Sequence, residues 1–124
     1  ETATLIIINE TTDDQFVVIE TKVYQGAFSQ GNLIAETRRG EMPVLTIPPG
    51  VSTFDARDIF PYEAISFYGN IEETATRTGK LPADNYTVCI QLLYEQNFQP
   101  ATEPQCRPII ITAGKSMLYP AGTF

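Results

Sequence analysis

The sequence predicts an all-β domain, built as an antiparallel two-sheet β-sandwich. β-branched and aromatic residues, including 7 Phe and 6 Tyr, dominate the chain and favour strands. Its 9 Pro and 8 Gly recur at short intervals and indicate frequent turns. Apolar residues do not follow helical spacing for more than two turns. About eight short strands in 124 residues are typical of an immunoglobulin- or fibronectin-like sandwich.

The first half of the chain predicts four strands separated by polar turns. The first spans residues 2–9, and its uninterrupted run Leu5-Ile6-Ile7-Ile8 predicts burial on both faces. The second spans residues 16–25, where Val17, Ile19, Thr21 and Val23 share one face. Strands at 32–37 and 44–47 follow, and Pro48-Pro49-Gly50 ends the fourth. The loop 26–31 and the turn 38–40 separate these elements.

The second half predicts one short strand and one long hairpin. Residues 55–59 fit either a helical turn or a bent strand, within an unclear segment at 52–61. A strand at 63–68 is followed by a polar loop at 70–80 and a turn at 81–85. The alternation at 86–95 is the clearest strand pattern of the chain. A proline-containing loop at 96–105 then leads to a strand at 107–112.

Cys89 and Cys106, the only cysteines, fall on the two strands of that hairpin. The chain has no His to complete a common zinc site and no C-x-x-C redox motif. We therefore expect a disulfide across the hairpin and an oxidising compartment: periplasm, cell surface or secreted space. Two buried, reduced cysteines in a cytosolic core are the alternative. The first residue is Glu1 and not Met, so we expect either a processed product, which fits removal of a signal peptide, or a piece cut from a longer chain.

Composition argues against most catalytic chemistry and favours a structural or binding module. The net charge of −7 and a sequence pI near 4.4 disfavour nucleic acid and anionic membranes. The apolar run at 5–8 is too short to insert into a membrane. Without His there is no Ser-His-Asp site, and no phosphate-binding glycine motif occurs. We expect no enzyme activity and no cofactor. The serines considered as nucleophiles are Ser29, Ser52, Ser66 and Ser116.

Several other residues could belong to a catalytic, metal-binding or sugar-binding site, but each also has an ordinary structural explanation. Two groups of acidic residues are candidates: Asp55, Asp58 and Glu63 for glycosidase chemistry, and Glu10, Asp13 and Asp14 for calcium binding. Both are expected to be solvated, so no metal is predicted. Asn9 and Asn85 begin glycosylation sequons, which are chance matches in a bacterial host. Arg38-Arg39 is a small cationic turn or a processing site. A sugar-binding platform could draw on Tyr24, Tyr62, Tyr68, Tyr94 and Tyr119, or these are core residues.

Residues 44–112 resemble the TANFOR domain, a family of secreted, multidomain proteins of Bacteroidetes. The segment 81–90, Leu-Pro-Ala-Asp-Asn-Tyr-Thr-Val-Cys-Ile, is similar to the family's "LPEG-x-Y-x-F/V-C" core. The segments 45–50, 56–60 and 65–69 resemble its preceding motifs, and Cys106 falls at its second cysteine. Ala83 departs from the usual Glu. The resemblance implies an exported, disulfide-bearing β-sandwich and carries over no catalytic residue or ligand.

The two ends of the chain indicate how the protein acts. We expect a sandwich domain at 1–112 and a tail or linker at 113–124. Both ends are apolar, and the first strand can pair within its own chain or be donated to a second copy. The predicted function is a non-enzymatic structural subunit of a cell-surface fibre or filament. The alternative is a monomeric carbohydrate- or protein-binding module of a larger secreted protein. Self-association, or contact with another surface protein, would use Thr4, Leu5, Ile6, Ile7, Ile8, Leu118, Tyr119 and Phe124.

Overall fold

Eight strands make up most of the chain that the structure describes. The computed structural model describes residues 4–27, 30–55, 64–69 and 84–111. The strands are β1 (Thr4–Asn9), β2 (Gln15–Gln25), β3 (Leu33–Thr37), β4 (Val44–Ile47), β5 (Gly50–Asp55), β6 (Ile65–Phe67), β7 (Asp84–Tyr94) and β8 (Gln105–Ile111). Short 3-10 helices occupy Gln30–Asn32 and Arg39–Glu41. No helix among these residues is long and apolar enough to cross a membrane.

The strands form two antiparallel sheets, as the sequence predicts. β1 and β5 pair alone in a two-stranded sheet, called the ribbon below. The larger sheet has the order β6-β3-β2-β7-β8, and β4 pairs with the first residues of β2. The long strands β2 and β7 lie at its centre, where they pair over nine residues from Val17↔Tyr94 to Gln25↔Tyr86. The all-β sandwich is therefore confirmed.

The core lies between the ribbon and the inner face of the larger sheet. The predicted alternation of β2 is confirmed, because Val17, Ile19 and Val23 are buried together in this core. The strand β7 adds alternate residues from Tyr86 to Leu92, and β1 adds Leu5 and Ile7 from the other side. Burial of such side chains is the main force holding sandwich layers together. The ribbon and the larger sheet thus share one hydrophobic core.

The disulfide between Cys89 and Cys106 is confirmed. The two residues lie directly opposite each other on β7 and β8, with Cα atoms 4.0 Å apart. The bond joins neighbouring strands at the hairpin, where its position follows from the strand register. Both cysteines lie on the outer face of the larger sheet, because Val88 and Ile90 on either side of Cys89 point into the core.

The prediction that the first strand is buried on both faces is wrong. Leu5 and Ile7 are buried, whereas Ile6 is 44% exposed and Ile8 is 64% exposed. The ribbon is an outer layer, so only alternate residues of β1 meet the core. A continuous apolar run therefore does not mean two covered faces here.

Other boundaries differ by a few residues, with one larger change. Residues 50–55, which overlap the start of the unclear segment at 52–61, form β5. Gly50 begins it with φ +98°, a conformation that glycine adopts readily. The turn at 38–40 is a 3-10 helix at Arg39–Glu41, and β8 begins two residues before the predicted strand. The predicted tail at 113–124, the loop at 70–80 and residues 56–59 lie outside the described residues.

Candidate interaction surface

The outer face of the ribbon is apolar and exposed. Cross-strand pairs share a face, and the register joins Ile8 to Val51 and Ile6 to Thr53. Val51 is 69% exposed, which places it with Ile6 and Ile8 among the exposed large hydrophobic residues. Contiguous exposed apolar residues mark interaction sites in soluble proteins. We call Ile6, Ile8 and Val51 the ribbon patch.

The edge of β1 lacks the features that keep sheet edges from associating. Within the described residues β1 pairs with β5 alone, so its other edge has no strand partner there. In natural proteins, charged residues, proline or a short length keep an edge strand from pairing with another chain. The edge strand β8 contains Arg107 and Pro108, and β6 has only 3 residues. The sequence of β1, Thr-Leu-Ile-Ile-Ile-Asn, has no charge and no proline.

Asn9 fixes the end of β1 against the larger sheet. Its side chain is buried and donates through Nδ2 to the carbonyl oxygens of Ile47 and Asp13, each at 2.9 Å. Its Oδ1 accepts from the Thr11 amide at 3.0 Å and from the Thr11 hydroxyl at 2.7 Å. One amide side chain thus closes the turn after β1 and ties it to β4. Since Nδ2 is enclosed and engaged, the Asn9 sequon is unsuited to glycosylation in the folded chain, whereas Asn85 is exposed.

A cavity of about 270 Å³ opens beside the ribbon patch. It is lined both by apolar side chains, among them Ile7, Ile8 and Leu92, and by polar ones, among them Glu10 and Gln15. Ile8 also belongs to the ribbon patch, so the cavity adjoins the patch. The exposed apolar side chains of the patch favour contact with a second apolar surface.

The structure brings together part of the predicted contact set. Thr4, Ile6 and Ile8 lie on the outer face of the ribbon, while Leu5 and Ile7 belong to the core and cannot form a surface contact with β1 in place. Leu118, Tyr119 and Phe124 lie outside the described residues. Val51 is not predicted from the sequence, because it lies between the strand-ending Pro48-Pro49-Gly50 and the unclear segment 52–61. The alternation of Val51, Thr53 and Asp55 with Ser52 and Phe54 is the signal that could have found it.

The acidic candidates do not form a metal site among the residues that the structure describes. Glu10, Asp13 and Asp14 are exposed, and the described residues contain no group of three acidic, Cys or His side chains suited to a metal ion. Tyr24 is buried, with its pKa raised chiefly by burial, so its ring cannot serve as a platform; Tyr68 and Tyr94 are each 39% exposed. Several candidates lie outside the described residues: Ser29, Asp58, Tyr62, Glu63 and Ser116.

Comparison of the chain with protein-family models, with curated proteins and with solved structures gives no match. The ribbon patch and the unprotected edge of β1 are therefore the observations on which a functional interpretation of this surface depends.

Proposed function

We propose that the chain is a non-enzymatic, extracellular structural subunit of a cell-surface fibre or filament. The observation that carries the proposal is the ribbon, which combines an apolar outer face with a strand edge free of charge and proline. The Cys89–Cys106 disulfide supports an exported protein, because such bonds persist in oxidising compartments. The resemblance to secreted TANFOR domains agrees with this location.

Two modes of contact follow from the ribbon. Copies can meet through the ribbon patch with β1 in place, which keeps Leu5, Ile7 and the Asn9 hydrogen bonds intact. Alternatively β1 leaves its own chain and fills the same position in a second copy, as in strand donation. One-way donation builds an open fibre, whereas reciprocal exchange closes as a dimer.

A cross-link within the ribbon tests the proposal and separates the two modes. Thr4 and Asp55 are direct partners at the end of the ribbon, outside the ribbon patch. The variant Thr4→Cys with Asp55→Cys should form a disulfide that holds β1 on its own chain. The control is Thr4→Ser with Asp55→Ser, which changes both positions without a cross-link. Electron microscopy and light scattering would compare the assembly of both variants with that of the unmodified chain.

We expect the unmodified chain and the serine control to form filaments or large assemblies. Loss of assembly in the cross-linked variant alone would assign the contact to donation of β1. Assembly in both variants would exclude donation of β1 and agree with contact through the ribbon with β1 in place. A clean 13.8 kDa monomer at high concentration, or a closed dimer, would contradict the fibre proposal.

A second candidate is a monomeric carbohydrate- or protein-binding module of a larger secreted protein. The observation that favours it is that β1 pairs with β5 of its own chain over six residue pairs. A monomeric result in the experiment above would favour this function.

A further inference from the structure

The outer face of the larger sheet carries a polar groove of about 380 Å³, on the side away from the ribbon. It lies over β2, β3 and the end of β6. Strand alternation places its side chains here, because Val17, Ile19 and Val23 of β2 face the core while Glu20 and Lys22 face outward. We call it the outer groove. Its charged and aromatic lining residues are Glu20, Lys22, Glu36, Arg38, Arg39 and Tyr68.

One side of the outer groove is organised around a nearly buried carboxylate. The side chain of Glu20 is 12% exposed and lies 3.6 Å from Lys22 Nζ and 3.5 Å from Arg39 Nη2. The Arg39 guanidinium also stands 5.3 Å from the centroid of the Phe98 ring. Such a cation–ring contact holds a guanidinium in place. Both basic side chains on this side of the groove therefore lie close to the Glu20 carboxylate.

An exposed aromatic ring stands at the other side. Tyr68 is 39% exposed, and its hydroxyl donates to Glu36 Oε2 at 2.8 Å. Burial and this hydrogen bond raise the pKa of Tyr68, so the phenol stays protonated at neutral pH. Arg38 Nη1 donates to the Ile65 carbonyl at 2.9 Å and its Nε pairs with Glu41, which fixes the neighbouring rim. The groove thus combines a positioned ring with positioned donors and acceptors.

The balance of charges in and beside the outer groove indicates which class of ligand it can bind. Lys22, Arg38 and Arg39 are three of the 8 basic residues of a chain whose net charge is −7. Glu20, Glu36 and Glu41 match them, so this surface is neutral overall and rich in both donors and acceptors. A neutral polyhydroxylated ligand fits it better than an anion or a cation.

We propose that the outer groove binds a neutral carbohydrate chain, with the Tyr68 ring against the apolar face of one sugar and Glu36 and Arg39 hydrogen-bonding its hydroxyls. Aromatic rings with a polar end suit such a contact, because they cover apolar area and leave their polar atoms paired. Charged side chains form the stronger hydrogen bonds to hydroxyl groups. This site is independent of the ribbon and of any assembly through it.

Affinity electrophoresis of the full chain tests the site. The probes are gels containing soluble β-glucan, xylan, galactomannan or starch, with polygalacturonate as the anionic comparison. Tyr68→Ala removes the ring, and Tyr94→Ala is the matched control, because Tyr94 is also 39% exposed but lies outside the groove. Glu36→Gln tests the hydroxyl acceptor. Circular dichroism and thermal unfolding verify that each variant is folded.

We expect retardation by at least one neutral polysaccharide, an affinity loss of roughly tenfold in Tyr68→Ala, and little change in Tyr94→Ala. Glu36→Gln should also weaken binding. No retardation by any neutral probe would overturn the proposal. So would retardation by polygalacturonate alone, or equal losses in the two folded tyrosine variants.

Discussion

Asn9 shows how one side chain sets the position of the candidate surface. Its amide group makes hydrogen bonds to Thr11 and Asp13 in the turn after β1 and to Ile47 at the end of β4. Because these bonds are buried or partly buried, water cannot replace them easily when the amide is removed. The sequence marked this residue only as a sequon, since nothing local reveals a contact to a carbonyl 38 positions away.

Replacing Asn9 with alanine should destabilise the protein by about 2–3 kcal/mol, because the carbonyl of Ile47 is left buried without its donor. Urea unfolding measures this loss. Glu10→Ala is the control, since Glu10 is the adjacent exposed residue and should change stability by less than about 0.5 kcal/mol. Equal stability of the two variants would show that the Asn9 network does not hold the ribbon.

The buried phenol of Tyr86 should make the free energy of unfolding depend on pH in the alkaline range. The residue is 1% exposed, and burial, aided by the negative charge of Asp84, raises its pKa from 10.0 to about 12. Below pH 10 the phenol is protonated in both folded and unfolded chains, so it adds no pH dependence. Between pH 10 and about 12 only the unfolded chain releases the proton, and the free energy of unfolding therefore falls as pH rises.

Urea unfolding at several pH values would test this expectation. Tyr86→Phe should show a smaller fall in unfolding free energy above pH 10 than the unmodified chain. Some fall should remain, because burial also raises the pKa of Tyr24 and Tyr68. Tyr94→Phe, at an exposed position, is the control and should behave like the unmodified chain. A fall in Tyr86→Phe as steep as in the unmodified chain would argue against this role of Tyr86.

At the scale of elements, periodicity predicted where most strands lie, but it did not always predict which of their faces are buried. The alternation of β2 and β7 identified the core residues correctly, since these central strands meet the core on one face. The same reasoning failed for β1, because a run of aliphatic residues does not reveal that only one face is covered. β5 was missed because it follows two prolines and carries few apolar residues, of which Phe54 alone packs against the core.

The β7–β8 hairpin should depend on its disulfide for stability. The bond joins cysteines 17 positions apart, and loop entropy predicts a contribution of about 3 kcal/mol. The double variant Cys89→Ala with Cys106→Ala should lose about that amount in urea unfolding. Thiol titration of the unreduced, denatured protein should find no free thiol. Two titrated thiols would refute the bond in the native protein.

For the whole molecule, the sequence predicted the architecture but only part of the candidate surface. The sandwich and the hairpin disulfide follow from local alternation and cysteine position. The ribbon patch depends on the pairing of β1 with β5 across 41 or more positions, from Asn9↔Gly50 outward. The outer groove likewise combines β2, β3 and the residue after β6, which no local pattern brings together.

The central claim is that copies of this chain meet through the ribbon patch. Sedimentation velocity of two charged variants, Ile8→Lys and Ile110→Lys, tests it most directly. Ile8 is 64% exposed on the ribbon and Ile110 is 72% exposed on β8, so both changes add one charge at an exposed isoleucine. Assembly is expected to be lost in Ile8→Lys and retained in Ile110→Lys, with both variants folded. Retained assembly in Ile8→Lys, or equal loss in both variants, would contradict contact through the ribbon patch.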